Sequence, residues 1–96
     1  MTSKQRAYLR GLANTLSPIF QVGKGGISDN LIKQVDDALE ARELIKISVL
    51  ETAPESVRNL AEEISIATSS ALIQTIGNKF TLYRPKKKNS KIILPD

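Results

Sequence analysis

Apolar residues recur along this chain with two different periods, and the switches between them predict seven elements. Leu9, Leu12, Ala13 and Leu16 fall at i, i+3, i+4 and i+7 with Tyr8 alongside, the spacing of an amphipathic helix. Thr2 followed by Gln5 has the form of a capping box at its start. Ser17-Pro18 is expected to end it, because proline disfavours helical geometry in the residue before it. "PIFQV" then reads as a short strand, stopped by the glycines of "VGKGGIS". A second helix is predicted from about Ser28 to Arg42, with Ser28 as N-cap and Ile27 and Ile32 spaced as a hydrophobic staple. Its buried stripe is Leu31, Ile32, Val35, Ala38 and Leu39, and Asp36, Asp37 and Glu40 point outward. In "ELIKISVLE" the period drops to two, with Ile45, Ile47 and Val49 alternating with Lys46 and Ser48, as in a half-buried strand. "TAPE", Thr52 to Glu55, reads as a capping box with proline in the first turn and predicts a third helix. Val57, Leu60, Ala61, Ile64 and Ala67 would supply its apolar stripe. "ALIQTIGNKFTLYR" has two alternating segments around Gly77-Asn78 and predicts a hairpin.

The resulting order, α-β-α-β-α-β-β, predicts an α/β domain with a four-stranded mixed sheet packed with helices. Strands joined by helices imply right-handed parallel crossovers, and the terminal hairpin adds an antiparallel pair. Residues 1–85 would form this domain. Pro85 and "KKKNSK" predict a mobile basic tail over residues 86–96, although its closing "IIL" is apolar enough to dock.

Composition narrows the chemistry. With 96 residues, the chain suits a single domain. It contains no cysteine and no histidine, which excludes disulfides, thiolate nucleophiles, the usual zinc sites and histidine acid–base catalysis. No convergent nucleophile or acid–base set is visible, so neither an enzyme nor a bound cofactor or metal is expected. The apolar residues of the N-terminus are spaced rather than continuous, unlike a signal peptide, and no run is long enough to span a membrane. A monomeric cytoplasmic protein is the expectation.

Charge changes the picture more than composition does. The net charge is +4, but residues 1–26 carry Lys4, Arg6, Arg10 and Lys24 with no acid. The middle of the chain, Ile27 to Glu63, is net acidic. From Ile64 onward Lys79, Arg84, Lys86, Lys87, Lys88 and Lys91 face only Asp96. If the two ends of the chain meet in space, one face of the molecule is cationic, the footprint of a polyanion binder.

Three readings compete for the glycine loop. A nucleotide P-loop needs serine or threonine after its lysine, and none follows Lys24; a dinucleotide fingerprint needs glycine where Ser28 stands. Both fail. The second reading is a GxxG clamp, Gly23-Lys24-Gly25-Gly26, in which positions without side chains let the backbone approach sugar-phosphate closely. The following helix N-terminus would add its dipole and Lys24 a point charge, with Asp29 in the first turn partly opposing both. The third reading gives the glycines a purely conformational role. Lys4, Arg6 and Arg10 from the first helix, with Lys79 and Arg84 from the hairpin, are candidates to flank the loop. Tyr83 is a candidate to stack on a base, although a strand tyrosine half-buried at a sheet edge is the commoner outcome.

"RAYLRGLA", "VGKGG", "ELIK" and "LYR", in this order over about residues 3 to 85, resemble the CRM domain (chloroplast RNA splicing and ribosome maturation), in particular its bacterial single-domain YhbY-like form. The resemblance implies a fold similar to the C-terminal domain of translation initiation factor three. It also implies RNA binding through the loop Gly23 to Gly26 and the basic residues Lys4, Arg6, Arg10 and Arg84, and association with precursors of the large ribosomal subunit. The chain departs from many relatives in having Asn14 and Ser17 where histidine and lysine are common, and Asn78 where a basic residue follows the hairpin glycine. Its electrostatics also suit a DNA-binding, chromatin-like module, and the acidic second helix would suit a protein adaptor.

Overall fold

A computed structural model describes residues 1–96 as three helices and a four-stranded sheet in the predicted order. The helices are α1 (Ser3–Ala13), α2 (Asp29–Arg42) and α3 (Val57–Ala67), and the strands are β1 (Phe20–Val22), β2 (Leu44–Val49), β3 (Ala71–Ile76) and β4 (Lys79–Tyr83). The strand order is β1-β2-β4-β3. The β1 and β2 strands pair in parallel, while β4 runs antiparallel to both its neighbours. The sheet is therefore mixed, as the element order predicts. No helix is long and apolar enough to cross a membrane.

Register sorts the sheet into two faces. Ile45, Ile47 and Val49 of β2 share one face with their cross-strand partners Phe80, Leu82, Phe20 and Val22. Val35 and Leu39 of α2 and Leu60, Ala61 and Ile64 of α3 close over this face as the main core. On the other face, Leu9 and Ala13 of α1 pack with Leu44, Ile73 and Tyr83 in a second, smaller cluster. Coverage on both faces explains why Phe80, Thr81, Leu82 and Tyr83 are all buried although they alternate along β4.

The caps follow the sequence, with one displacement. Thr2 and Gln5 form the reciprocal capping box of α1, and the Ser28 hydroxyl accepts from the Leu31 amide at the start of α2. The third helix starts later than "TAPE" predicts. Its N-cap is Ser56, which accepts from the Asn59 amide, while Leu50 to Ala53 form a turn closed by Ala53 N–H to Leu50 O and Pro54 and Glu55 form a bend. Pro54 is used elsewhere: it lies against Gly26. Helix α1 also stops short of Ser17-Pro18. Thr15 and Leu16 donate to the carbonyls of Leu12 and Ala13 in tighter turns, and Leu16 and the expected stripe residue Ala67 of α3 are exposed. In β3 the register shifts between Leu72 and Gln74, and Ile73, at this irregularity, packs in the smaller cluster.

Residues 86–96, expected as a mobile tail, are docked. The agent is Glu43, which follows α2 with a φ of 67° and is only 1% exposed. Its carboxylate accepts hydrogen bonds from the amides of Lys86, Lys91 and Ile92 and from the Ser90 hydroxyl. Ile92 and Leu94 pack on the smaller cluster, and the Gln5 side-chain amide donates to the Pro95 carbonyl. Two residues of the apolar "IIL" therefore dock while Ile93 stays exposed, and the two chain ends meet.

Burial alone would raise the pKa of Glu43, but these hydrogen bonds outweigh it and hold the group below the ordinary 4.5. A group with a depressed folded-state pKa contributes stability that is complete above its unfolded value and is lost as the pH falls through its folded value. Tail amides should thus be protected from hydrogen exchange at neutral pH and lose that protection as the pH falls through the depressed pKa of Glu43. Glu43→Gln should lose it already at pH 7, and protection unchanged in that variant would rule out the carboxylate as the clasp.

Candidate nucleic-acid interface

The parallel pairing of β1 with β2 sends the glycine loop out at one end of the sheet. Val22 sits opposite Val49, so the loop leaves beside the connection that follows β2, and the hairpin turn Gly77-Asn78 lies at the same end. The loop is a tight turn closed by Gly26 N–H to Gly23 O at 2.9 Å. Its glycines serve different ends. Gly26 has a φ of 65°, and a Cβ there would come within 3.0 Å of Pro54 Cγ, so the fold itself requires a glycine. Gly25 has neither constraint: a Cβ would meet nothing within 4 Å. Lys24 is exposed, without any hydrogen-bond or ion-pair partner. The turn leads directly into the Ser28-capped N-terminus of α2, where Asp29 places a carboxylate in the first turn.

The expected flanking cations do not all gather here. Lys79 does: it is exposed at the start of β4, opposite Ser48, beside the turn end of the sheet. Arg84 follows Tyr83 at the far end, roughly 17 Å away along the strand. It is also occupied. Its guanidinium donates to the Asp36 carboxylate at 2.6 Å, to the Asp36 carbonyl at 3.0 Å and to the Thr68 carbonyl at 2.7 Å, and Glu40 lies 3.7 Å away. With its side chain only 19% exposed, Arg84 ties α2 to the end of α3. Arg6 is likewise engaged, donating to the carbonyls of Leu72 and Ile73 at the irregularity in β3. Lys4 and Arg10 are exposed on α1. The first turn of α1, however, lies with Pro95 at the Tyr83 end, away from the glycine turn. Lys4 and Arg84 therefore stand apart from Lys24 and Lys79 rather than forming one face with them.

Tyr83 is only 4% exposed within the smaller cluster, so it offers no ring to a base. Burial, and then the negative charge of Glu43, push its pKa above 10.0. The exposed aromatic residue of the helical segment is instead Tyr8. The Glu55 carboxylate, before α3, raises the pKa of exposed Glu63 on that helix through a hydrogen bond and charge repulsion.

The structure thus presents a glycine turn at the mouth of a helix with an unpartnered lysine in it, an arrangement of the kind that anion-binding sites use. The chain belongs to the CRS1 / YhbY (CRM) domain family, whose model matches residues 1–84. It is 53% identical over 95 residues to the probable RNA-binding protein YqeI of Bacillus subtilis, covering 99% of each chain. It is 35% identical over 95 residues to an RNA-binding protein of Haemophilus influenzae, covering 99% of this chain and 95% of that one. The solution structure of the hypothetical protein SAV1595 from Staphylococcus aureus superimposes with a TM-score of 0.82 at 53% identity, covering 99% of both chains.

Proposed function

We propose that this protein is a non-enzymatic RNA-binding protein. It acts as a cytoplasmic monomer that associates with ribosomal RNA in precursors of the large ribosomal subunit and assists assembly. The observation that carries this reading is the Gly23–Gly26 turn. It exposes Lys24 and a glycine, Gly25, whose missing side chain the fold does not need. Open backbone next to a helix N-terminus and a free ammonium is what a phosphate group requires. The RNA-binding relatives in two bacterial genera support RNA as the polyanion. The turn and Lys79 are the contacts of this reading nearest to each other. Lys4, at the other end of the sheet, and Arg10 on α1 supply further contacts, whereas Arg6 and Arg84 are bound within the domain.

Phosphate contacts release counterions, so affinity for structured ribosomal RNA should fall steeply with salt. Lys24→Ala should weaken binding and reduce the log–log salt slope by about 0.7–0.9. An unchanged slope would remove Lys24 from the interface. The ribosomal assignment is tested by crosslinking in cells followed by sequencing of the attached RNA. Enrichment of large-subunit precursor sequences is expected, and reads spread evenly over messenger RNA would overturn it.

A further inference from the structure

Beside the glycine turn, on the sheet face that α1 leaves partly open, lies a groove of about 660 Å³. Its floor follows from register. Gln21 of β1 pairs with Ser48 of β2, which pairs with Lys79 of β4, so the three side chains form one row across adjacent strands. At strand spacing the row spans roughly 10 Å. Pro18, Ile19 and Leu50 supply apolar surface, and Leu50 is 42% exposed although it follows a buried strand. Leu50 also joins the groove to the turn, because its Cδ1 would lie 3.4 Å from a Cβ at Gly23.

Gln21 and Lys79 are exposed at the two ends of the row, with Ser48, 6% exposed, between them. The exposed Gln21 amide makes no hydrogen bond within the molecule. Lys79 has only a 3.4 Å contact, to the Asn78 side chain. Ser48 donates over a long 3.5 Å to the Phe20 carbonyl, leaving its lone pairs free. Asn78 is fixed at the rim, its side-chain amide donating to the Val49 carbonyl at 3.3 Å. No carboxylate lines the groove.

We propose that this groove holds a base of single-stranded RNA adjoining the phosphate that docks on the glycine turn, and that it prefers uracil and guanine, which carry a ring oxo group where cytosine and adenine carry an amino group. This rests on the RNA-binding reading of the turn and adds to it a means of sequence preference. The chemistry follows from the donor count. The Lys79 ammonium and the Gln21 amide N–H₂ offer more N–H donors than the Gln21 carbonyl and the Ser48 oxygen offer acceptors, and an oxo group on the ring presents an acceptor to them. The amino edge of cytosine presents a donor instead, which the ammonium repels. Phosphate contacts position the strand without reading it, while contacts in the groove would read it.

Uracil and cytosine tracts of equal length separate this contribution from charge, since they differ at the ring edge and not in phosphate number. The full-length protein should bind the uracil tract about fivefold more tightly at fixed salt. Gln21→Leu, at an exposed position, should bring that ratio towards one and leave the salt slope unchanged. Lys24→Ala should weaken both tracts equally and lower the slope. Equal binding of the two tracts by the wild-type protein, or an undiminished ratio in Gln21→Leu, overturns the groove proposal. Structured ribosomal RNA bound with a Lys24-dependent slope, but without uracil preference, leaves the turn standing and removes the groove alone. Failure to bind either tract or ribosomal RNA removes both.

Discussion

Gly25→Asp should lower RNA affinity at least about a hundredfold, equivalent to roughly 2.7 kcal/mol, while the protein remains folded. The substitution brings a carboxylate to the place where a phosphate would lie, next to the positive end of α2, which Asp29 already partly offsets. The surroundings of Gly25 decide the second half of the expectation. A Cβ there touches nothing and its φ is not positive, so the folded state gains no clash and no backbone strain. Two companion variants divide ligand from fold. Gly25→Ala should change stability by no more than about 0.5 kcal/mol. Gly26→Ala should destabilise by about 1–3 kcal/mol, because it combines a positive φ with a contact on Pro54 Cγ. Thermal melts together with binding isotherms at several salt concentrations distinguish the three. A folded Gly25→Asp protein that binds ribosomal RNA like wild type would refute the turn as the contact.

Arg84→Ala should cost about 2–4 kcal/mol of folding stability and leave the salt slope of RNA binding unaltered in the folded protein. The guanidinium satisfies the Thr68 carbonyl at the end of α3 and the Asp36 carboxylate and carbonyl on α2. Removing it strands the Thr68 carbonyl at the end of a helix and leaves Asp36 and Glu40 facing one another without their counter-charge. Arg84→Lys should recover only part of the loss, since one ammonium does not reproduce a planar set of donors. Chemical denaturation measures the first effect and a salt titration the second. Unchanged stability with a flatter slope would return Arg84 to the RNA-contacting residues.

The elements of this chain were legible because two periods of hydrophobicity alternate cleanly and the turn chemistry agrees with them. The Thr2–Gln5 box, the Ser28 cap and the Gly77-Asn78 turn each combine a local pattern with a local hydrogen bond, and each lies where the residues place it. Errors arose where a local pattern had a distant use. "TAPE" has the letters of a capping box, but its proline packs on a glycine from the other loop, and Ser56 begins the helix without a glutamate three residues on.

Partners remote in sequence were harder still. The positive charge of Arg84 was plain, and so were the outward acids Asp36 and Glu40, yet nothing local announces that they meet. Tyr83 looked like an edge aromatic because alternation reveals one buried face, whereas β4 is covered on both. Glu43 left no local signal at all. A glutamate with positive φ at a helix end, clasping a tail more than forty residues later, is visible only once the chain has folded.

The contact between Gly26 and Pro54 has a consequence for how tightly the turn can hold its ligand. A loop that must first be frozen loses conformational entropy on binding, at about 1–2 kcal/mol per residue. This one is already closed by the Gly26–Gly23 hydrogen bond and wedged by a proline ring, itself restricted in φ. Little freedom remains to be surrendered when a phosphate arrives, so the favourable interactions there are not spent on ordering the chain. Pro54 thereby acquires a stake in recognition without approaching the ligand. Trimming its ring should loosen the turn and register as lost affinity, although every atom facing the phosphate is unchanged.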